Sequence, residues 1–138
     1  MDPLFSYAHS YLGLAYLQKS MYPEAFAELQ KELELQRALH PLFLAFMGAA
    51  QFKGGHDEKG KDILNSLMVR SQKEYIPPYF FSFLYFAMGN KDQGFNYLNK
   101  AYQERDVWLP LLAIDHLFDA VRSDQRFKDL LRRMDFPD

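Results

Sequence analysis

Apolar positions along the chain recur at three- and four-residue intervals, interrupted by short polar, proline- or glycine-containing breaks. From Leu4 to about Lys19, Phe5, Ala8, Leu12, Ala15 and Tyr16 share one face of a predicted helix, with Asp2-Pro3 as N-cap and first-turn proline. Ser20-Met21-Tyr22 reads as a turn, and Pro23 opens a helix bearing Ala25, Phe26, Leu29 and Leu33. His40-Pro41 ends it, because the residue before a proline disfavours the α region. Another helix is predicted over Leu42 to Lys53, stopped by Gly54-Gly55, and its partner from about Asp57 to Lys73 carries Ile63, Leu64, Leu67 and Met68. Ile76-Pro77-Pro78 makes the next break. The helix that follows ends at Gly89-Asn90, and one more runs from Lys91 to about Gln103 with Phe95, Leu98 and Ala101 inward. No segment sustains period-two alternation, so strands are not expected.

A longer period overlies this pattern. Gly13, Gly48 and Ser82 occupy one phase of it, Ala25, Gly60 and Gly94 a second, and Leu29, Leu64 and Leu98 a third, each set recurring every 34 to 35 residues. Self-similarity at that spacing predicts stacked helix–turn–helix units, a solenoid that presents a surface. The expected fold is therefore all-α, a single domain over residues 1–138 with repeats at about 4–40, 41–74 and 75–105. After Arg105 the period is expected to be lost. Leu109-Pro110-Leu111-Leu112 suggests a short helical piece, Leu117 to Val121 another turn, and Ser123 an N-cap for a last helix over 124–134. Phe127, Leu130, Leu131 and Met134 form one docking stripe on it. Residues 106–138 read as a C-terminal cap over the last apolar face.

Composition changes this picture in one respect. Of 138 residues 49% are hydrophobic and 25% charged, ordinary for a globular chain, but 17% are aromatic, with 13 Phe and 9 Tyr. A net charge of −2 argues against a nucleic-acid or anionic-membrane partner. Without cysteine there is no disulfide framework and no thiolate metal site, and the N-terminus lacks a signal-peptide pattern, so a cytoplasmic location is expected. The densest apolar run, Pro78 to Met88, is too short to insert as a membrane span, which needs about 18 residues.

The chemistry-bearing residues form no catalytic constellation. There is no phosphate-binding glycine loop, nucleophile elbow or paired-histidine helix motif, and His9, His40, His56 and His116 lack metal-ligand spacing. Asp115, Asp119 and Asp124 do not make a calcium loop and are expected to cap helices or pair with Arg122 and Arg126. The cations Arg126, Lys128, Arg132 and Arg133 are interleaved with Asp124, Asp129 and Asp135, which removes the uncompensated positive face that phosphate binding needs. Neither an enzyme nor a cofactor or metal site is expected.

The repeated residues resemble the tetratricopeptide repeat family, whose units carry a leucine–glycine-like pair, an aromatic, then alanine and a large apolar residue. Leu12-Gly13, Tyr16, Ala25 and Leu29 fit in the first repeat, Met47-Gly48, Gly60 and Leu64 in the second, and Phe81-Ser82, Tyr85, Gly94, Leu98 and Ala101 in the third. Gln51 stands where the second repeat should have its aromatic. The C-terminal half is similar to the tail of tetratricopeptide modules that end bacterial signalling proteins. The run Gly89-Asn90-Lys91-Asp92-Gln93 through Phe118-Asp119, Val121-Arg122-Ser123-Asp124 and Leu130-Leu131-Arg132-Arg133-Met134 carries that likeness, with departures at Asp115-His116 and Gln125. It implies a sensor or interaction domain behind a winged-helix regulator, nucleotide cyclase or serine/threonine kinase.

The family places its concave groove on the first helix of each unit. By that resemblance the groove comprises Tyr7, Tyr11 and Leu14, then Phe46 and Phe52, then Tyr79, Phe80, Phe83 and Phe86. The residues that family members use to clamp acidic C-terminal peptides are absent, their places being taken by Ser10, Leu14, Phe46, Ile76 and Phe80. The apolar excess fits either an aromatic groove that receives a peptide or protein segment, or a face filled by the cap. The expected function is non-catalytic protein binding, with homodimerisation through the same apolar surface as the alternative.

Overall fold

The structure is a computed structural model. It describes residues 41–134 apart from Ile114, and residues 19, 21–24, 27–28 and 31 before them. The described residues are helical and contain no strand. The helix expected over Leu4 to about Lys19 lies outside them except for Lys19, which is in a turn. Of the next predicted helix, the described positions Tyr22, Pro23, Glu24, Ala27, Glu28 and Lys31 are helical. The chain divides into two compact units, Met1–Ile76 and Pro77–Asp138, parting at the Ile76-Pro77-Pro78 break.

In the first unit, α1 (Pro41–Lys53) and α2 (Asp57–Arg70) pack as a pair. Nine residues of α1, from Phe43 through Phe52, are buried, leaving no wet face, whereas α2 buries only Gly60, Leu64 and Leu67. The turn between them is set locally. His56 N–H donates to the Gln51 carbonyl at 2.8 Å and Gly55 N–H to that of Phe52 at 3.1 Å, the doubled bonding of a Schellman end. Gly55 supplies the left-handed residue this needs, at φ +84°.

The second unit repeats the device. α3 (Pro78–Met88) ends with Asn90 N–H on the Tyr85 carbonyl and Gly89 at φ +93°, and α4 (Lys91–Gln103) follows at once. The Asn90 side chain caps α4 by accepting from Gln93 N–H at 3.2 Å. α4 then ends the same way at Arg105, whose φ of +55° is the one left-handed non-glycine among the described residues. Two 3₁₀ turns, Leu109–Ala113 and His116–Val121, lead to α5 (Gln125–Arg133). Its N-cap is Asp124, not the expected Ser123, because the Asp124 carboxylate reaches Arg126 N–H at 2.9 Å.

The period does not end at Arg105. The N-caps of α2, α4 and α5 are His56, Asn90 and Asp124, each 34 residues after the last. What changes beyond Arg105 is the side-chain code: Lys128 and Arg132 stand where α4 has Gly94 and Leu98, and 3₁₀ turns replace the first helix of a unit. The last helix keeps the spacing while presenting charge. Of its expected stripe, Phe127 and Leu130 are buried, whereas Leu131 and Met134 are only half-buried.

α4 and α5 run in the same direction. Arg126 bonds Asp92 at 3.0 Å and lies 4.2 Å from the Phe95 ring centre, while Arg133 bonds Asn99 at 3.2 Å and lies 5.2 Å from that of Tyr102. Two stacked arginines one heptad apart thus cross the seam between the helices.

Candidate functional site

The aromatic face of α3 is the site the sequence singles out, and its residues can be followed one by one. Pro77 precedes α3 and offers no capping side chain, and Pro78 has no N–H, so the first donor needing a partner is Tyr79 N–H. Asp106 supplies it from 27 residues away, accepting at 3.0 Å through one carboxylate oxygen. The other oxygen accepts from Trp108 N–H at 2.9 Å. One buried carboxylate therefore caps α3 and fixes the chain leading to Trp108, where the positive end of the helix favours its charge.

That bridge lays the C-terminal segment over the aromatic face. Trp108 meets Phe80 edge-on at 5.3 Å between ring centres. Phe118, fully buried in the second 3₁₀ turn, touches the rings of Tyr79 at 5.1 Å, Phe86 at 5.8 Å, Phe127 at 6.3 Å and Phe83 at 6.5 Å. Tilted and edge-to-face pairs of this kind add to area burial. The Tyr79 hydroxyl donates to Asp115 at 2.6 Å. Burial above all, and then the negative charge of Asp115, holds this phenol far above the ordinary tyrosine value. A phenol held neutral in this way anchors a hydrogen bond and does not shuttle protons at neutral pH.

Tyr79, Phe80, Phe83 and Phe86 are thus between 1% and 8% exposed and form core, not an open groove. The physical reason is the covering segment 106–121, which lays Trp108 on Phe80 and Phe118 on Tyr79, Phe83 and Phe86. Phe46 and Phe52 of the first unit are buried as well, and the Phe52 ring is turned against Gly60 of α2. Tyr7, Tyr11 and Leu14 lie outside the described residues. Sequence reasoning missed Asp106, Trp108 and Phe118 as the groups that organise this face. The signal available was Pro77-Pro78, two residues unable to cap or donate, which leaves the N-terminus of α3 in need of an acceptor from elsewhere.

The acidic residues of the segment are occupied as helix caps and arginine partners. Asp115 accepts from Leu117 N–H at 3.0 Å and Asp124 from Arg126. The bond from Arg122 at 2.8 Å holds the Asp119 carboxyl below the usual carboxylate range, and Arg126 does the same for Asp124. Among the described residues no three histidine, aspartate or glutamate side chains gather as metal ligands, and no helix is long and apolar enough to cross a membrane. Large apolar side chains remain exposed at Val69, Tyr75, Val107 and Leu111, the last two flanking Trp108 and Pro110. Comparison of the chain with protein-family models, with curated proteins and with solved structures finds no match.

Proposed function

We propose that this chain is a non-catalytic, tetratricopeptide-like repeat module that binds a peptide or protein segment, acting in the cytoplasm as the regulatory or sensor part of a larger bacterial signalling protein. The observation that carries the reading is the 34-residue register of the caps at His56, Asn90 and Asp124, the spacing at which surface-presenting repeats recur. The binding surface of this proposal lies outside the rings of α3, since these are already covered from within the second unit. Val107, 83% exposed, and Leu111, 41% exposed, give that unit an apolar ridge instead.

The test is selection of peptide ligands from a random displayed library against the intact chain, followed by affinities for the Val107→Asp/Leu111→Asp variant. Enriched peptides that lose at least about tenfold in affinity on that variant support the reading. Failure to enrich any peptide overturns it. The same ridge favours a second reading, self-association, which sedimentation equilibrium separates: a concentration-dependent dimer abolished by the double aspartate variant selects it over peptide binding.

A further inference from the structure

Within the first unit, α1 and the start of α2 border a cavity of about 390 Å³, whose walls include Tyr22, Pro23, Gln51, Lys53, His56 and Lys59. Gln51 is the unusual member. It is 3% exposed, and among the described residues its side-chain amide has no hydrogen-bond partner. A buried, unsatisfied amide is uncommon in folded proteins and calls for an occupant or a function.

The repeat register shows what Gln51 replaces. Tyr16, Gln51 and Tyr85 fall at one phase of the period. In the second unit Tyr85 stacks on Tyr97 with ring centres 5.5 Å apart and planes 14° from parallel. The matching pair in the first unit is Gln51 and Ile63, with no ring on either side. A chain selected for packing alone would keep an aromatic there. Here the ring is exchanged for a cavity with an amide in its wall.

The chemistry of the walls specifies the occupant. Lys53 and Lys59 form no ion pair among the described residues, and His56 stands between them in sequence. Asp57 and Glu58 follow His56 on the first turn of α2 but are not part of the lining. Tyr22 and Pro23 add apolar wall, and Gln51 an amide that can both donate and accept. The volume falls at the small end of ligand sites. We propose that this cavity binds a small organic carboxylate, its head between Lys53 and Lys59, its polar edge on the Gln51 amide and its short apolar body against Tyr22 and Pro23.

The test follows the side-chain NH₂ of Gln51 and the backbone amide of Gly54 by heteronuclear NMR on the intact 138-residue chain. The probes are hexanoate, the neutral isostere hexanamide, and inorganic phosphate. Hexanoate is expected to shift both signals saturably, with hexanamide and phosphate binding at least about tenfold more weakly. Lys53→Gln/Lys59→Gln changes one half-buried and one exposed side chain and should weaken hexanoate by roughly tenfold with an unchanged spectrum elsewhere. Gln51→Tyr restores the ring of the neighbouring repeat and should abolish the hexanoate shifts. The proposal is overturned by hexanoate shifts absent or unsaturable, by equal binding of hexanamide or phosphate, or by binding that survives both variants. Its outcome is independent of the peptide selection, which reads the 107–111 ridge in the other unit.

Discussion

The ring of Phe86 fills the space in which a Cβ at Gly94 would sit. A methyl group there would run into the ring's Cδ1, Cε1 and Cζ atoms. The same relationship joins Phe52 to Gly60, where a Cβ would meet ring carbons at 2.7 Å. Glycine is otherwise a poor helix residue, about 1 kcal/mol worse than alanine. Its use at both places follows from the ring it receives. The first repeat carries the complementary sizes, Leu17 with Ala25, at the matching phase.

Gly94→Ala should therefore destabilise the protein by about 1–3 kcal/mol, reversing the sign helix propensity gives, because Phe86 is boxed in by Phe95 at 4.9 Å and Phe118 at 5.8 Å. Combining it with Phe86→Leu should recover part of that loss, giving a favourable coupling of about 0.5 kcal/mol or more in a double-mutant cycle. Urea unfolding of the four proteins measures it. Strictly additive effects would show that the ring and the glycine are not matched.

Phe80→Ala separates core from surface. With Phe80 1% exposed and in contact with Trp108, the loss expected is about 3–5 kcal/mol of unfolding free energy, and the association state should not change. Thermal unfolding and sedimentation on one sample read both quantities. A variant as stable as the parent would mean that the C-terminal segment does not cover this ring in solution.

Asp106 serves two backbone donors, so its substitutions should be graded. Asp106→Asn keeps one acceptor oxygen and should lose about 1 kcal/mol, whereas Asp106→Ala strands both N–H groups and should lose about 2–4 kcal/mol. Hydrogen exchange at Tyr79 and Trp108 should rise in the alanine variant before exchange elsewhere. Equal effects of the two substitutions would remove the bridging role.

Alkaline pH should weaken the second unit through Tyr79. Below the ordinary tyrosine value of 10.0 the phenol is neutral folded and unfolded, and the group adds no pH dependence. Above it the unfolded chain ionises while the folded one holds its proton, so stability falls as pH rises, by about 1.4 kcal/mol per unit for this group. Tyr79→Phe should flatten that slope while losing about 1 kcal/mol at neutral pH with the bond to Asp115. An unchanged slope between pH 10 and 11 would place the alkaline loss on other groups, Tyr85 and Tyr97 first, whose hydroxyls burial also raises.

Helix limits were legible because their causes are local. Pro41, Gly54-Gly55, Gly89-Asn90 and the 3₁₀-forming runs at 109 and 117 act within a few residues, and α1 and α3 end, and α4 begins, where those residues stand. Predicted to about Lys73, α2 closes at Arg70, since Ser71 to Glu74 have no apolar residue to continue its stripe. The 34-residue register beyond Arg105 is hidden in the sequence because Lys128 and Arg132 replace the small and large apolar markers while the cap spacing is kept. For α3 the pattern left two outcomes open, an aromatic groove or a face filled by the cap. A helix apolar all round states that every face needs cover, but not what covers it. Asp106, Trp108 and Phe118 decide that from 20 to 40 residues away, through a carboxylate bridge and ring contacts that leave no trace in spacing. Gln51 shows the same division. The sequence marks it as a missing aromatic, and only its packing shows an amide beside a cavity with no partner among the described residues.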